Sequence, residues 1–116
     1  ANYTITASNI AGSTTTIVNI RVLAPPSSLS YSQNPATYGV NVSITDNVAA
    51  VTGVVARYSV SPALPTGLVL DTVTGKISGT PTVSAAAANY TVTASNVGGF
   101  TTTTLNLRVL AAPSAL

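Results

Sequence analysis

Six side chains in these 116 residues carry a formal charge: Asp46, Asp71, Lys76, Arg21, Arg57 and Arg108. His, Cys and Glu are absent, so the usual general bases and activated nucleophile pairs have no members here. Two aspartates can in principle make a carboxylate dyad. However, Asp46 precedes Asn47, and Asp71 precedes Thr72-Val73-Thr74-Gly75. Both are turn sequences, in which an aspartate ordinarily accepts hydrogen bonds from backbone N–H groups. A calcium ion needs six to eight oxygen ligands, normally with several carboxylates among them. Asp46 with Asn47, or Asp71 with backbone carbonyls, offers one carboxylate each. A Lys–Asn isopeptide crosslink needs a lysine and a buried acid beside an asparagine. Lys76 is the sole lysine, and Asp46 and Asp71 are the sole acids, so no such crosslink is expected. The expectation is a non-enzyme with no catalytic, cofactor-binding or metal-binding residues and no cofactor.

The elements that must position these few groups are built from an unusual composition. Charged residues make up 5% of the chain, against roughly 25% in an average globular protein. Hydrophobic residues reach 46%, yet Thr, Ser and Asn interrupt them. They never run on for the ~20 positions that a membrane-spanning helix needs. The net charge of +2 is spread along the chain without a basic cluster, so neither nucleic acid nor an anionic membrane is expected as partner. The stretch after Ala1 lacks the charged and apolar regions of a signal peptide. If the protein is exported, its signal lies outside this sequence.

An internal repeat sets the organisation. Residues 1–29 read ANYTITASNIAGSTTTIVNIRVLAPPSSL, and residues 88–116 read ANYTVTASNVGGFTTTTLNLRVLAAPSAL. They align without a gap at an offset of 87 (88 minus 1), and 20 of the 29 positions are identical. In the second copy Tyr90, Val92 and Ala94 alternate with Thr91, Thr93 and Ser95, the period of a strand with one buried face. Asn96-Val97-Gly98-Gly99 supplies a turn. Leu105, Leu107 and Val109 then alternate with Thr104, Asn106 and Arg108. Each copy therefore predicts a long-stranded β-hairpin, followed by an Ala-Pro linker at Ala24–Pro26 or Ala111–Pro113.

Between the copies, the sequence predicts short strands at Leu29–Tyr31 and Ala36–Tyr38, one over Val40–Ile44, and one over Val54–Val60. A further hairpin, Leu68–Leu70 with Lys76–Ser78, encloses Thr72–Gly75. Asp46-Asn47 is read as a turn, and Ser84–Ala88 as helix-tolerant but too short to nucleate. No capped helix is predicted. About seven antiparallel strands with frequent turns specify a sandwich of two sheets.

The segment from Tyr58 to Pro81 contains Leu64-Pro65-Thr66-Gly67-Leu68, then Asp71, Thr74-Gly75, Ile77 and Gly79-Thr80-Pro81. With the downstream Tyr90–Asn96 strand, it resembles the immunoglobulin-like (cadherin-like, dystroglycan-type) repeats of bacterial extracellular surface proteins. The resemblance covers about Tyr31 to Leu110. It implies an all-β immunoglobulin-like sandwich, used as a spacer or binding module at the cell surface. The acidic clusters of calcium-dependent cadherins are missing. Read residue by residue, the motif is scaffold: Pro65 and Gly67 shape a turn, Asp71 caps backbone N–H groups, and Leu68, Leu70 and Ile77 face the core.

These readings combine into three segments. Residues 1–24 are expected to be the C-terminal hairpin of a preceding repeat, residues 25–111 a complete repeat, and residues 112–116 a linker and the start of the next. The function implied is a structural repeat of an extracellular fibre, stalk or adhesin. Its expected partners are adjacent repeats, joined head-to-tail, with residues 1–23 complementing a neighbour's strands. A carbohydrate- or protein-binding accessory module of a secreted or surface enzyme is the alternative.

Overall fold

Ten strands and no helix make up the computed structural model, which describes residues 1–113. The expected linker and next-repeat start at 112–116 therefore lies mostly outside the described residues. Strands β1 (Asn2–Asn9) and β2 (Gly12–Asn19) pair with each other as a two-stranded sheet. The other strands are β3 (Ser27–Tyr31), β4 (Ala36–Gly39), β5 (Ala49–Thr52), β6 (Arg57–Ser61), β7 (Leu68–Leu70), β8 (Ile77–Gly79), β9 (Ala85–Asn96) and β10 (Gly99–Leu110).

One layer of the sandwich is a four-stranded sheet in the order β4-β10-β9-β6, with β4 parallel to β10 and the other pairs antiparallel. Two short ribbons, β3–β5 and β7–β8, supply the other layer. Between the layers lies one apolar cluster, including Leu29, Tyr31, Tyr58, Ile77, Val92 and Leu107. The alternation read from Tyr90–Leu110 has the right register, since Tyr90, Val92, Leu105, Leu107 and Val109 are all buried. A slip of one residue would have turned all five outward. Together with the projecting first hairpin, the sandwich forms a rod of 94 × 20 × 20 Å. Its radius of gyration is 22.5 Å, against about 13 Å for a compact domain of this length.

Four local readings are corrected, the last of them at Asn47. Val40–Ile44 is not a strand. Asn41 takes a left-handed conformation (φ 62), and the segment's N–H groups bond to Leu110, Pro81 and Gly79 carbonyls instead of to a neighbouring ladder. Val40 and Ile44 pack on the core, but Val42 points outward. The strand read over Val54–Val60 begins later, at Arg57, as β6, and β5 at Ala49–Thr52 is a strand the sequence reading did not anticipate. Between them the backbone leaves the sheet, and the Val54 carbonyl accepts a bond from the Asn96 side chain at 2.9 Å. Third, Ala85–Ala88 opens β9 because β10 offers it a ladder. Tertiary pairing there overrides alanine's preference for helix.

Asn47 is no turn residue. It is fully buried, and its backbone exchanges two 2.9 Å hydrogen bonds with Ile77. Its side-chain oxygen accepts from the Gln33 N–H (2.9 Å) and the Ser32 hydroxyl (3.2 Å), and its amide donates to the Gln33 carbonyl at 2.8 Å. One side chain thus ties the two ribbons together and satisfies the loop after β3.

Candidate functional site

The two copies of the repeated segment have the same local structure and opposite surroundings. In the first hairpin Asn2 pairs with Asn19, Tyr3 with Val18 and Asn9 with Gly12. Adding 87 to each number gives the pairs of the second: Asn89 with Asn106, Tyr90 with Leu105, Asn96 with Gly99. The cross-strand amide bond recurs, from Asn19 to Asn2 (2.7 Å) and from Asn106 to Asn89 (3.0 Å). So does the turn, where Asn9 caps the Ala11 N–H and Asn96 caps the Gly98 N–H. The hairpin is therefore encoded by its own residues.

Its burial is not. Tyr90, Val92 and Leu107 are 6%, 0% and 0% exposed, whereas their counterparts Tyr3, Ile5 and Ile20 are 52%, 54% and 47% exposed. The first hairpin presents a bare apolar face and two unpaired edges. In the second hairpin the equivalent edges are occupied by β6 along β9 and by β4 along β10.

Chain geometry forbids the first hairpin from taking that place in its own sandwich. Leu23 would have to stand where Leu110 stands, at the end of β10 remote from the Asn96–Gly99 turn. The 12 residues of β10 span about 36 Å at ~3.3 Å per step. With only residues 24–26 between them, Leu23 and the start of β3 at Ser27 stand at most about 14 Å apart. Moreover, Ala24 is held at the turn end, where its carbonyl accepts the Asn96 amide at 2.8 Å.

The turn of β9–β10 packs on the segment that enters the sandwich. Asn96 donates to both Ala24 and Val54 carbonyls. Gly98 lies so close to the Leu23 carbonyl that a Cβ there would collide with it, and a Cβ on Gly99 would stand 3.1 Å from the Pro25 ring. Beside this turn Val97 and Phe100 are exposed.

Both aspartates are engaged by other groups of the chain. Asp46 pairs with Lys76 at 3.4 Å on the surface. Asp71 Oδ1 accepts the Val73 and Thr74 N–H groups at 2.8 and 3.1 Å, and those bonds hold its carboxyl below the usual carboxylate range. Gly75 closes this loop at φ 75, and a Cβ on it would stand 2.6 Å from the Tyr58 ring. The Gly75 carbonyl accepts the Tyr31 hydroxyl at 2.6 Å. The motif thus serves to seat two core tyrosines, whose burial raises both phenol pKa values. A cavity of about 200 Å³ opens at the other pole, lined by residues including Thr37, Tyr38, Val42 and Ser43, with no acid, base or thiol besides the Tyr38 phenol. Among the described residues, no three His, Cys, Asp or Glu side chains cluster as metal ligands. No helix there is long and apolar enough to cross a membrane.

The family described as Putative Ig domain matches residues 17–110. Domains of this kind are typically non-catalytic and typical of extracellular proteins. No curated protein is a significant match. Among solved structures, a putative alpha-galactosidase from Bacteroides fragilis is similar over 79% of this chain and 19% of its own length, with 23% identity and a TM-score of 0.58. The titin I-band fragment I67–I69 is similar over 95% of this chain and 41% of its own length, with 17% identity and a TM-score of 0.57. The chain thus spans well under half of either, and these likenesses carry the fold: an all-β immunoglobulin-like sandwich.

Proposed function

We propose a spacing and load-bearing role for this chain, which belongs to the Putative Ig domain family: it is a stretch of a linear array of extracellular repeats. The repeat unit is residues 25–111. Residues 1–24 are the closing hairpin of the unit before it, and 112–116 lead to the unit after. One observation carries this reading. The same hairpin occurs twice at an 87-residue offset, buried where strands β3–β8 precede it and bare where they do not. In the unit before, the bare copy is completed by that unit's own equivalent of residues 25–87, and units built in this way join head-to-tail. Because that relation is heterologous, it propagates as a line. The rod shape and the scarcity of reactive side chains agree with a spacer for a surface fibre, stalk or adhesin.

The equivalent partner register follows from the second copy. β1 receives a strand corresponding to β6, with the counterpart of Tyr58 opposite Ala7 and that of Val60 opposite Ile5. The test is a chain in which residues 25–87 are repeated ahead of Ala1. Amide exchange at residues 3–7 and 18–22 should slow to the level of residues 90–94 and 105–109. Unchanged exchange would refute the assignment. An accessory module of a secreted enzyme is the second reading, favoured by the likeness to part of the galactosidase. Binding of glycans to the 116-residue chain would support it.

A further inference from the structure

We infer that the Asn96–Gly99 turn is a clasp for the preceding repeat, leaving the junction between repeats without a flexible residue. The inference rests on the tandem reading for what lies beyond the linker. In the second copy the closing strand runs to Leu110, which corresponds to Leu23 (110 minus 87). Once the first hairpin is completed, its strand therefore extends to Leu23. The clasp begins at that same residue. Gly98 packs against the Leu23 carbonyl, Asn96 donates to the Ala24 carbonyl, and Gly99 abuts the Pro25 ring. Pro25 and Pro26 then restrict the backbone until β3 starts at Ser27. No residue between the two sandwiches is left free of a strand, a clasp contact or a proline ring.

The polar contacts fix the linker, and the exposed side chains around them fit a second contact. Val97 and Phe100 flank the clasp on the pole that faces the preceding repeat. At the opposite pole of each sandwich, Val42 is exposed in the Gly39–Thr45 loop, beside the Leu110 carbonyl that Val40 bonds. Stacking repeats end to end brings these two apolar tips towards each other. The partner of the turn is thus the linker together with the Gly39–Thr45 loop of the repeat before.

The sequence carries its own control. Ala11 occupies the position of Gly98 in the first hairpin, where the turn, its register and its asparagine cap are the same. Alanine is therefore compatible with the turn and incompatible only with the close approach of the linker. By the same token, a repeat ending in the Asn9–Gly12 turn has a looser junction with its own predecessor. Gly or Ala at this one position sets which junctions are stiff.

The experiment is Gly98→Ala in the 116-residue chain, with ¹⁵N relaxation at Leu23 and Ala24. The expected result is an order parameter near 0.85 in the parent and below about 0.6 in the variant, with the sandwich shifts of β9 and β10 retained. Equal order parameters in both proteins would overturn the clasp. Asn96→Ala, which removes the Ala24 bond without adding bulk, should loosen the same two amides, and rigid amides there would also count against it. The same substitution in the chain extended by residues 25–87 should broaden the spin-label distance distribution between the two sandwiches. A broad distribution already present in the parent refutes a stiff junction. Failure of the added strands to protect residues 3–7 refutes the tandem reading alone, because the relaxation result does not depend on them.

Discussion

Leu107→Ala and Ile20→Ala are the same deletion made at equivalent positions of the two hairpins, and they should differ by nearly the full value of a core side chain. Leu107 is completely buried between the layers, whereas Ile20 is 47% exposed with no sandwich over it. Truncating a buried leucine removes its transfer free energy and leaves a cavity, a loss of about 3 kcal/mol. For a sandwich of this size, each kcal/mol moves the melting temperature by about 4–8 °C. Leu107→Ala should therefore lower Tm by about 15 °C and reduce the urea midpoint with little change in slope. Ile20→Ala should stay within about 0.5 kcal/mol of the parent, as surface changes do. Placed in the chain extended by residues 25–87, Ile20→Ala should acquire a cost close to that of Leu107→Ala. Thermal and urea unfolding followed by circular dichroism read all three values. Equal losses for the two substitutions in the 116-residue chain would refute the reasoning, because the first hairpin would then already be packed.

Asn47→Ala should destabilise by about 1–3 kcal/mol in urea unfolding, since it leaves the half-buried Gln33 N–H and carbonyl without their partner. Gly75→Ala should cost at least about 2 kcal/mol, through its φ of 75 and the clash with the Tyr58 ring; Tyr58→Leu in the same chain should recover part of that loss. Stability should change little between pH 5 and 9 and fall above pH ~10. Burial raises the folded pKa of Tyr31, Tyr38 and Tyr58, so the unfolded chain loses protons first and the stabilisation drains as pH climbs from the unfolded towards the folded value. At the acid end Asp71 acts in the opposite sense: its lowered folded pKa gives stability present above about pH 4 and lost as pH drops below it, a small effect for an exposed group, measurable by comparing the parent with Asp71→Asn. Chelator should leave Tm unmoved, because Asp46 is paired with Lys76 and Asp71 with backbone N–H groups.

The parts of this fold that were legible in the sequence are those whose periodicity reports burial directly. Tyr90–Leu110 alternates over both strands, and its register is right at every buried position. The Leu68–Ser78 hairpin was legible for a different reason, since Asp71 and Gly75 are specific to the turn they make. Val40–Ile44 misled because its alternation is real for two of three valine or isoleucine side chains, while the backbone runs as a loop bonded to Gly79 and Pro81. Asn47 was missed because an asparagine after an aspartate looks like any turn. Its side-chain bonds to Gln33 join residues 14 apart, and no local pattern reports that. Gly98 carried a signal that could have been found: it is one of the nine differences between the two copies, at a place where the turn itself has no need of glycine.

The contrast between the two hairpins also bears on how an array of such units is built. Pairing, turn and amide bonds are identical in both copies, so these do not decide whether the hairpin is stable. A two-stranded ribbon alone is marginal in water. What separates the copies is the pairing of both edges, by β6 and β4, and the covering of one face. Burying a large aliphatic or aromatic side chain fully contributes about 1.5–3 kcal/mol, and Tyr90, Val92, Leu105, Leu107 and Val109 all receive it. That covering comes from strands β3 to β8, which precede the hairpin in the same unit. In the proposed array each unit completes its own core with its last two strands, and no core side chain need be borrowed from the unit that follows. The coupling between units then falls on the linker and the turn that grips it. An array made this way gains length by adding units without changing the stability of those already folded. Its stiffness is adjusted separately, at a turn position where glycine admits the linker and alanine excludes it.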